Sequence, residues 1–298
     1  MNKQTITDWF KELQDEICKG LEDLDGKSSF KEDNWQRPEG GGGRTRVIDD
    51  GNLIEKGGVN FSAVSGPTPK KILEALNLPE TDFYATGVSI VLHPQNPWVP
   101  IIHMNVRYFE MGNGTYWFGG GIDLTPHYVH GKEDGVTIHS ILKAACDQID
   151  PEYYARFKSW ADDYFFIRHR NETRGIGGIF FDRINEQSEG KSKEDLWQFV
   201  QSVGKSFVPI YSDYAQKHRS RSFNEGNKKW QFLRRGRYAE FNLVWDKGTK
   251  FGLDTNGRTE SILMSLPPQC SWEYDHQPTA GSLEAETLNW LKKDIDWI

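Results

Sequence analysis

Apolar residues recur along the chain at two spacings, and each spacing predicts one kind of element. Spacings of three and four residues predict helices at 1–24, about 69–77, 137–169, 192–217 and 282–293. Ser192 opens the fourth of these with Asp195 as its capping-box partner, whereas Pro209 is expected to kink or divide it. Strand-like patterns occur near 45–49, 58–65, 86–93, 100–110, 115–119, 177–182, 237–246, 249–254 and 260–266.

The order of these elements predicts the fold class. Strands come in neighbouring groups joined by short turns, and helices come in blocks, which is typical of α+β proteins and not of alternating βαβ units. The sheet is therefore expected to be mostly antiparallel. No linker or repeat divides the 298 residues, so we expect a single domain over 1–298, in which residues 1–34 form an N-terminal helix and a lead-in.

Charge and cysteine content exclude several classes of protein. With 36 basic and 43 acidic residues, the net charge of −7 argues against a dedicated nucleic-acid binder. No apolar run approaches the roughly 18–20 residues of a membrane span. Three widely spaced cysteines without a CxxC motif predict neither a disulfide framework nor a cysteine-built zinc site, and favour a reducing compartment. Because residues 1–24 contain several acids and no apolar signal region, we expect a cytoplasmic location.

The aromatic and glycine content is high, with 11 Trp, 11 Tyr, 17 Phe and 29 Gly. Aromatic side chains bury large areas, and glycines allow close approach of the backbone. A heavily aromatic core with many turns is the simpler interpretation. A large, flat, apolar ligand is the alternative.

A hairpin formed by 86–93 and 101–110 collects the most informative polar side chains. Because strand side chains alternate between faces, His103, Asn105 and Arg107 share one face, and Ser89 and His93 share one face of the preceding strand. Such a face is often simply exposed to solvent. Two imidazoles, an amide and a guanidinium are, however, well suited to binding carboxylates and moving protons. The opposite face is apolar and consists of Ile102, Met104, Val106 and Tyr108.

Two further regions contribute candidate residues. Asp123 follows Gly119–Gly121, where we expect a flexible turn, and it either caps the backbone or binds a ligand. A second polar strand at 237–246 would place Glu240, Asn242 and Asp246 on one face. Asp246 is bordered by cations, so it can stay ionised and act as a base or a hydrogen-bond acceptor.

Four histidines could contribute to a metal site, two from the hairpin and two from predicted helices. They lack the i, i+4 or HExxH spacing that carries a mechanism, so spacing alone does not predict a metal. The glycine clusters match neither a P-loop nor a dinucleotide-binding fingerprint. The four histidines are His93, His103, His139 and His169.

Five long segments, in order from about residue 35 to the C terminus, resemble the oxygen-dependent coproporphyrinogen III oxidase family. They are GGGGRTRVIDDGNLIEKGGVNFSAVSG, VLHPQNPWVPIIHMNVRYFE, WFGGGIDLTPHYV, DDYFFIRHRNETRGIGGIFFDRIN and GRYAEFNLVWDKGTKFGLDTNGRTESILMSLPP. The resemblance implies a flat antiparallel sheet flanked by helices on both faces, assembled as a homodimer through about 238–273.

The resemblance also implies a reaction. Coproporphyrinogen III would lose carbon dioxide from two propionates in succession, leaving vinyl groups and yielding protoporphyrinogen IX. Molecular oxygen would be the oxidant, and no organic cofactor would take part. An iron–sulfur radical enzyme for the same conversion would need cysteines that this chain lacks.

The resemblance assigns roles to individual residues. His103 is implied as the proton donor, and Asp123 and Asp246 as critical acids. Arg107 and Arg258 can pair with propionates, while Asp246, or less favourably Asp123, can accept pyrrole N–H groups. The implied substrate-side residues are Ser89, Asn105, Val106, Arg107, Gly257 and Arg258, and the implied positions for a divalent cation are His93, His103, His139 and His169.

Three residues depart from the family's pattern, and two other functions remain open. Lys247 stands where many relatives have arginine, Asn256 where bacterial relatives often have glycine, and Gly58 replaces a common alanine with little expected effect. A histidine-bound metal hydrolase would carry metal and lose activity with a chelator. A non-catalytic carrier of an acidic tetrapyrrole would bind coproporphyrinogen without consuming oxygen.

Overall fold

One seven-stranded antiparallel sheet lies at the centre of the computed structural model, which describes residues 1–68, 73, 80–254 and 257–298. In spatial order its strands are β1 (Lys31–Gln36), β2 (Gly41–Asp49), β3 (Ile54–Pro67), β4 (Asp82–Pro94), β5 (Ile101–Met111), β6 (Tyr116–Thr125) and β9 (Gly177–Ile184). Two short strands, β7 (Phe166–Ile167) and β8 (Glu172–Thr173), form a separate hairpin. The sheet confirms the predicted antiparallel arrangement.

The described helices precede, interrupt and follow the strands. They are α1 (Lys3–Asp25), α2 (Glu133–Asp147), α3 (Tyr153–Tyr164), α4 (Glu186–Glu189), α5 (Lys193–His218), α6 (Glu225–Glu240), α7 (Lys247–Asp254), α8 (Thr259–Leu263) and α9 (Leu283–Trp290). A π-helical turn, Phe241–Trp245, continues directly from α6. Within the described ranges, no helix is long and apolar enough to cross a membrane.

Helices cover both faces of the sheet, as the resemblance implied. On one face, α1 packs against β3 and β4, and α5 packs against β5 and β6. The apolar side chains of β5, from Ile102 to Tyr108, are completely buried there, in a core whose members range from Ile6 to Trp297. On the other face, Tyr238 of α6 packs against Val91 and Ile101. That second face carries the polar residues and is called the polar face below.

Several sequence predictions are confirmed in their bounds. The N-terminal helix is α1, and the hairpin of 86–93 with 101–110 is the β4–β5 pair. Ser192 and Asp195 form the predicted capping box at the start of α5. The alternative that Pro209 divides this helix is wrong, because α5 continues through it from Lys193 to His218, and a kink stays a prediction. All three cysteines are free.

The predicted strands at 237–246, 249–254 and 260–266 are wrong, because the chain is helical there. The alternation in RYAEFNLVWD is also compatible with a helix. Tyr238, Phe241 and Asn242 follow a spacing of three to four residues and are all buried, while Leu243 and Val244 are exposed. Burial of one helical face therefore outweighs the strand propensity of these residues.

Three other predictions differ from the structure or fall outside it. The helical pattern at 137–169 is two helices, α2 and α3, separated by a turn that contains Pro151, whose missing N–H cannot continue a helix. His169 consequently lies in the turn between β7 and β8. The edge strand β1 was not predicted, because its sequence, KEDNWQ, is mostly polar and shows no alternation of apolar residues. Its side chains are mostly exposed. The pattern at 69–77 lies almost entirely outside the described residues.

Candidate active site

One line of directly paired residues crosses the polar face from edge to edge. From β1 to β6 the side chains on this line are small or polar, and the last residue, on β9, is aromatic. From β3 to β6 the line covers about 14 Å, since neighbouring strands are roughly 4.8 Å apart. Its members are Asp33, Thr45, Asn60, Ser89, Asn105, Gly121 and Phe180.

A second line, two residues further along β5, has even smaller side chains around Arg107. Gly87 and Gly119 lie on either side of Arg107, and Ser62 and Gly43 continue the line to β2. The two lines together form a floor of mostly small side chains, called the floor below, so a ligand can approach the backbone of the central strands.

The Arg107 guanidinium is held close to this floor by two neighbours. It donates one hydrogen bond to Asn105 Oδ1 at 2.6 Å and another to Asp182 Oδ1 at 2.8 Å. Its side chain remains 36% exposed. A Cβ at Gly119 would lie 2.5 Å from Asp182 Oδ1 and 2.9 Å from Arg107 Nε, so glycine is needed opposite this ion pair. A guanidinium has five N–H groups, and these two hydrogen bonds use only some of them. The others can bind a carboxylate ligand.

His103 forms a hydrogen-bonded pair with Asp123 beside this floor. His103 Nδ1 lies 2.9 Å from Asp123 Oδ1, and the two residues are opposite each other on β5 and β6. Burial favours a raised pKa for Asp123, but the charge of Arg174 and the hydrogen bond from His103 hold that pKa below the ordinary aspartate value. An ionised carboxylate only accepts hydrogen bonds. His103 Nδ1 is therefore the donor, and Nε2 is on the ring edge away from Asp123.

Arg174 binds Asp123 from the other side, and no sequence pattern predicts this role. Its Nε and one terminal nitrogen donate to the two carboxylate oxygens of Asp123 at 3.2 and 2.7 Å. The other terminal nitrogen donates to Asn242 Oδ1 at 2.8 Å. No periodicity in RGIGG marks Arg174, because it lies in an irregular segment just before β9.

Asp246 lies at the aromatic end of the site, directly after the π-helical turn. It accepts hydrogen bonds from the Tyr164 hydroxyl at 2.8 Å and from the Thr249 backbone N–H at 2.7 Å. Burial alone would raise the pKa of Asp246, but Thr249 and Tyr164 hold it below the ordinary aspartate value. The Tyr164 ring stacks on Phe180, 4.0 Å between centroids. Asp246 is thereby placed next to the end of the floor.

The other predicted acceptors and acids are in different places from those expected. Glu240 is not part of a polar strand with Asp246; it ends α6 and binds Arg170 and His169. Asp123 does not follow a flexible turn, because Gly119–Gly121 lies inside β6. Asn242 does reach the site, but through the π-helical turn.

The predicted substrate-side residues divide into three groups. Ser89, Asn105 and Arg107 lie together on the floor, as expected from strand alternation. The Val106 side chain is completely buried on the opposite face of the sheet, so it contributes only backbone to the polar face. Arg258 lies at the β1–β2 edge, where it binds Asp33 and the Ser261 hydroxyl, and Gly257 precedes it.

The helix α8 is docked directly on the β2–β3 end of the floor. Ser261 Oγ lies 2.9 Å from Thr45 Oγ1, and the Ser261 carbonyl accepts a hydrogen bond from Asn60 at 2.7 Å. A Cβ at Gly58 would lie only 1.8 Å from Met264 Sδ. Glycine at position 58 therefore makes room for the Met264 side chain at the end of α8, and a Cβ there would require that side chain to move.

The four histidines that the resemblance implied as metal positions are not gathered together. His93 binds the Ser265 carbonyl, and its pKa is lowered well below the ordinary value by burial and by the charges of Arg235 and Lys56, which also repel a cation. His139 uses both ring nitrogens in the core, with the Ile176 carbonyl and Tyr154.

The remaining two implied metal positions also have separate partners. His103 binds Asp123, and His169 binds Glu240 and Trp245. Throughout the described ranges, no three His, Cys, Asp or Glu side chains form a group that could hold a metal ion. These four histidines therefore do not fit a shared metal, and no step below is assigned to one.

Of the other departures, Lys247 begins α7 and its backbone N–H contacts the Tyr164 hydroxyl at 3.3 Å, next to Asp246. Asn256 lies outside the described residues. Besides Arg174, Tyr164 and Asp182 are site residues that were not among the sequence-based predictions. The alternation of GGIFFDRI could have indicated Asp182, because it follows Phe180 by two residues on the same face of β9.

The fold and the polar face define a class of protein: an α+β protein whose candidate site combines a partly exposed arginine with a His–Asp pair. The chain matches the family model described as coproporphyrinogen III oxidase over residues 5–297. It belongs to the coproporphyrinogen III oxidase family.

Curated relatives with the name oxygen-dependent coproporphyrinogen-III oxidase resemble the chain along most of its length. The protein of Prochlorococcus marinus strain NATL1A is 48% identical over 96% of this chain and 88% of its own length. The Drosophila melanogaster protein is 49% identical over 96% of this chain and 76% of its own. That of Parasynechococcus marenigrum strain WH8102 is 47% identical, with 96% and 85% covered.

We expect loss of the buried Arg174–Asp123 ion pair to destabilise the protein more than loss of the partly exposed Arg107–Asp182 ion pair. We expect Asp123→Ala to lower the free energy of unfolding by about 3–5 kcal/mol, because it leaves the Arg174 charge buried and unpaired. The matched control, Asp182→Ala, removes a partly exposed partner and should cost about 1 kcal/mol or less. Urea denaturation of both variants measures the difference, and equal losses would contradict the central place of the buried pair.

The same prediction has a pH dependence. Because the pKa of Asp123 is lowered in the folded protein, its stabilisation is complete above the ordinary aspartate pKa. It is lost as the pH falls through the lowered value. The difference in stability between wild type and Asp123→Ala should therefore shrink on acidification.

Proposed function

We propose that this protein catalyses the oxygen-dependent conversion of coproporphyrinogen III to protoporphyrinogen IX in haem biosynthesis. The observation that carries the proposal is the His103–Asp123 pair next to Arg107 on the floor of mostly small side chains. Family membership and the names of the relatives support it. A planar tetrapyrrole with carboxylate side chains matches both the shape of the floor and its charge.

The chemistry requires the loss of one carboxylate and two electrons in each of two steps. One ionised propionate becomes a vinyl group and carbon dioxide, which releases two electrons and one proton. Solvent supplies a second proton to accompany these electrons. The balance closes when one oxygen molecule accepts them as hydrogen peroxide. Dioxygen is therefore a co-substrate, and no organic cofactor is required by this balance.

Arg107 and Arg258 are proposed to bind propionates at different corners of the macrocycle. Arg107 is on β5 and Arg258 is anchored over β1–β2, so about three strand spacings, roughly 14 Å, separate the two anchoring regions. Ser89 lies between these regions on β4, and Asn105 is next to Arg107 on β5. Guanidinium groups suit this task because they form bidentate, charge-assisted hydrogen bonds with carboxylates.

His103 and Asp246 are proposed to handle protons. Asp246 is held ionised by Thr249 and Tyr164, and each carboxylate oxygen can accept more than one hydrogen bond. It can therefore accept pyrrole N–H groups and help to remove a proton from an electron-rich ring. His103 presents Nε2 for proton transfer. Asp123, with both oxygens engaged and only 1% of its side chain exposed, acts through His103 and does not bind substrate.

The aromatic side chains at the β9 end are proposed to keep water from the oxidised intermediate. Phe165 packs against His103 and Arg174, and Phe241 packs against Arg174. Tyr164 and Phe180 pack against Phe165. Exclusion of water strengthens the electrostatic interactions inside and suppresses side reactions.

We also propose a cytoplasmic homodimer with contacts from residues 238–273. The support is an exposed apolar surface on this segment, where Leu243 is 48% and Val244 45% exposed. Phe251, Leu253 and Trp272 are exposed on the same segment. Apolar side chains at such density are typical of protein interfaces.

Turnover of coproporphyrinogen III in air tests the proposed reaction. We expect metal-stripped enzyme to form the three-propionate intermediate and then protoporphyrinogen IX, with one O2 consumed for each CO2 released. Chromatography and an oxygen electrode measure both. Binding without oxygen consumption would indicate a carrier, and activity that depends on a restored metal without oxygen use would indicate a metal hydrolase; either result contradicts the proposal.

Two substitutions should separate catalysis from binding. Asp246→Asn should lower kcat by about 100-fold or more, because it removes a base with little change of shape. Arg107→Ala should raise KM by about 10- to 100-fold, because a charged hydrogen-bonding partner is lost. Steady-state kinetics and thermal melting measure the effects, with Asp163→Asn and Lys205→Ala as exposed controls. Near-normal values in either test variant would refute its assigned role.

The proposed dimer contact can be tested by charge insertion. The double variant Leu243→Glu, Val244→Glu should run as a monomer in light scattering, because buried carboxylates are costly at an interface. Val136→Glu, at an exposed apolar position on α2, is the control and should stay dimeric. A monomeric wild type, or a double variant that stays dimeric, would contradict the assignment.

A further inference from the structure

Arg174 is a positive charge that is almost completely enclosed. Its side chain is 2% exposed, and its guanidinium carbon lies 4.4 Å from the ring centre of Phe165, 4.7 Å from that of Phe241 and 4.8 Å from that of Tyr238. Aromatic faces attract a cation, and the attraction grows when water is excluded. Arginine cannot relieve its burial by losing a proton. The surroundings therefore keep a permanent positive charge at one point.

The Arg174 guanidinium binds Asp123, the same carboxylate that is hydrogen-bonded to His103. Arg174 donates to both oxygens of Asp123, and His103 Nδ1 shares Oδ1 with one of these donors. The three residues form one line from the aromatic enclosure to the open floor: Arg174, Asp123, His103. Asn242 fixes the far side of the guanidinium.

We propose that Arg174 is a positioning residue that sets the tautomer of His103 by keeping Asp123 an oriented, charged acceptor. With Asp123 fixed in this form, His103 carries its proton on Nδ1 and presents the Nε2 lone pair to the substrate. This inference rests on the proposed catalytic role of His103, although the tautomer can be measured without substrate.

Without the guanidinium, the alternatives are physically distinct. A buried carboxylate that loses its counter-ion takes up a proton or draws a second proton onto its neighbour. A protonated Asp123 would donate to Nδ1 and place the histidine proton on Nε2. A doubly protonated ring would have no lone pair. Both outcomes reduce the neutral Nδ1–H tautomer, so its population reports directly on Arg174.

Nitrogen-15 NMR of histidine-labelled, substrate-free protein at about pH 8, above the ordinary histidine pKa, measures this population. The His103 signals are assigned by their loss in His103→Gln. We expect His103 to be the Nδ1–H tautomer in the wild type. The population of this tautomer should fall by about half or more in Arg174→Gln. It should recover in Arg174→Lys, which keeps the positive charge but not the planar guanidinium. Arg234→Gln, at another buried arginine with a single carboxylate partner, is the matched control.

Kinetics provide the second readout. Arg174→Gln should lower kcat by about 100-fold with a change in KM of about threefold or less, since Arg174 does not reach the substrate. Arg174→Lys should recover most of that loss, and Arg234→Gln should show little change. An unchanged tautomer in Arg174→Gln, or a loss of kcat equal to that of Arg234→Gln, would overturn the proposal.

Two further outcomes remain interpretable. If Arg174→Gln does not fold, the wild-type spectrum still decides, because an Nε2–H tautomer for His103 contradicts the proposal. If the wild-type protein does not convert coproporphyrinogen III, the proposed function fails, while the tautomer measurement still tests the link between Arg174 and His103.

Discussion

The ion pair of Arg174 with Asp123 joins the sheet to the helices that cover its polar face. Asp123 belongs to β6, and Asn242, the third partner, belongs to the π-helical turn after α6. Burying two charges costs several kcal/mol per ion unless geometry and additional hydrogen bonds compensate. Here the carboxylate accepts three hydrogen bonds and the guanidinium is enclosed by rings. The position of His103, and with it the chemistry of the site, depends on this arrangement.

The floor and the helical cover contribute in different ways. The floor is made by strand register, which brings small side chains of successive strands into line and leaves Arg107 as the one long side chain of its row between β2 and β6. The cover is made by α3, by α6 with the π-helical turn that follows it, and by α8. These elements supply aromatic rings, Asp246 at the end of the π-helical turn, and the contacts of Ser261. The sheet thus supplies one side of the candidate site, and the helical cover supplies the other.

Strand alternation predicted much of the floor correctly. Ser89, Asn105 and Arg107 had to share a face once β4 and β5 were paired, because side chains of a strand alternate with a period of two. The same reasoning failed for 237–246, where an alternating stretch is helical and buries Tyr238, Phe241 and Asn242 along one side. Over ten residues both periods fit, and the choice was made by contact with Val91 and Ile101, which are distant in the sequence.

The sequence by itself determined the class of fold, the family and the polar face of the β4–β5 hairpin, because these depend on local periodicity and on long continuous motifs. The tertiary structure decided which charges meet. Arg174 precedes β9 in an irregular segment and pairs with an aspartate 51 positions earlier, and the four histidines separate into four environments. Pairings of this kind depend on which elements pack together and on the burial that results, and no local pattern encodes them.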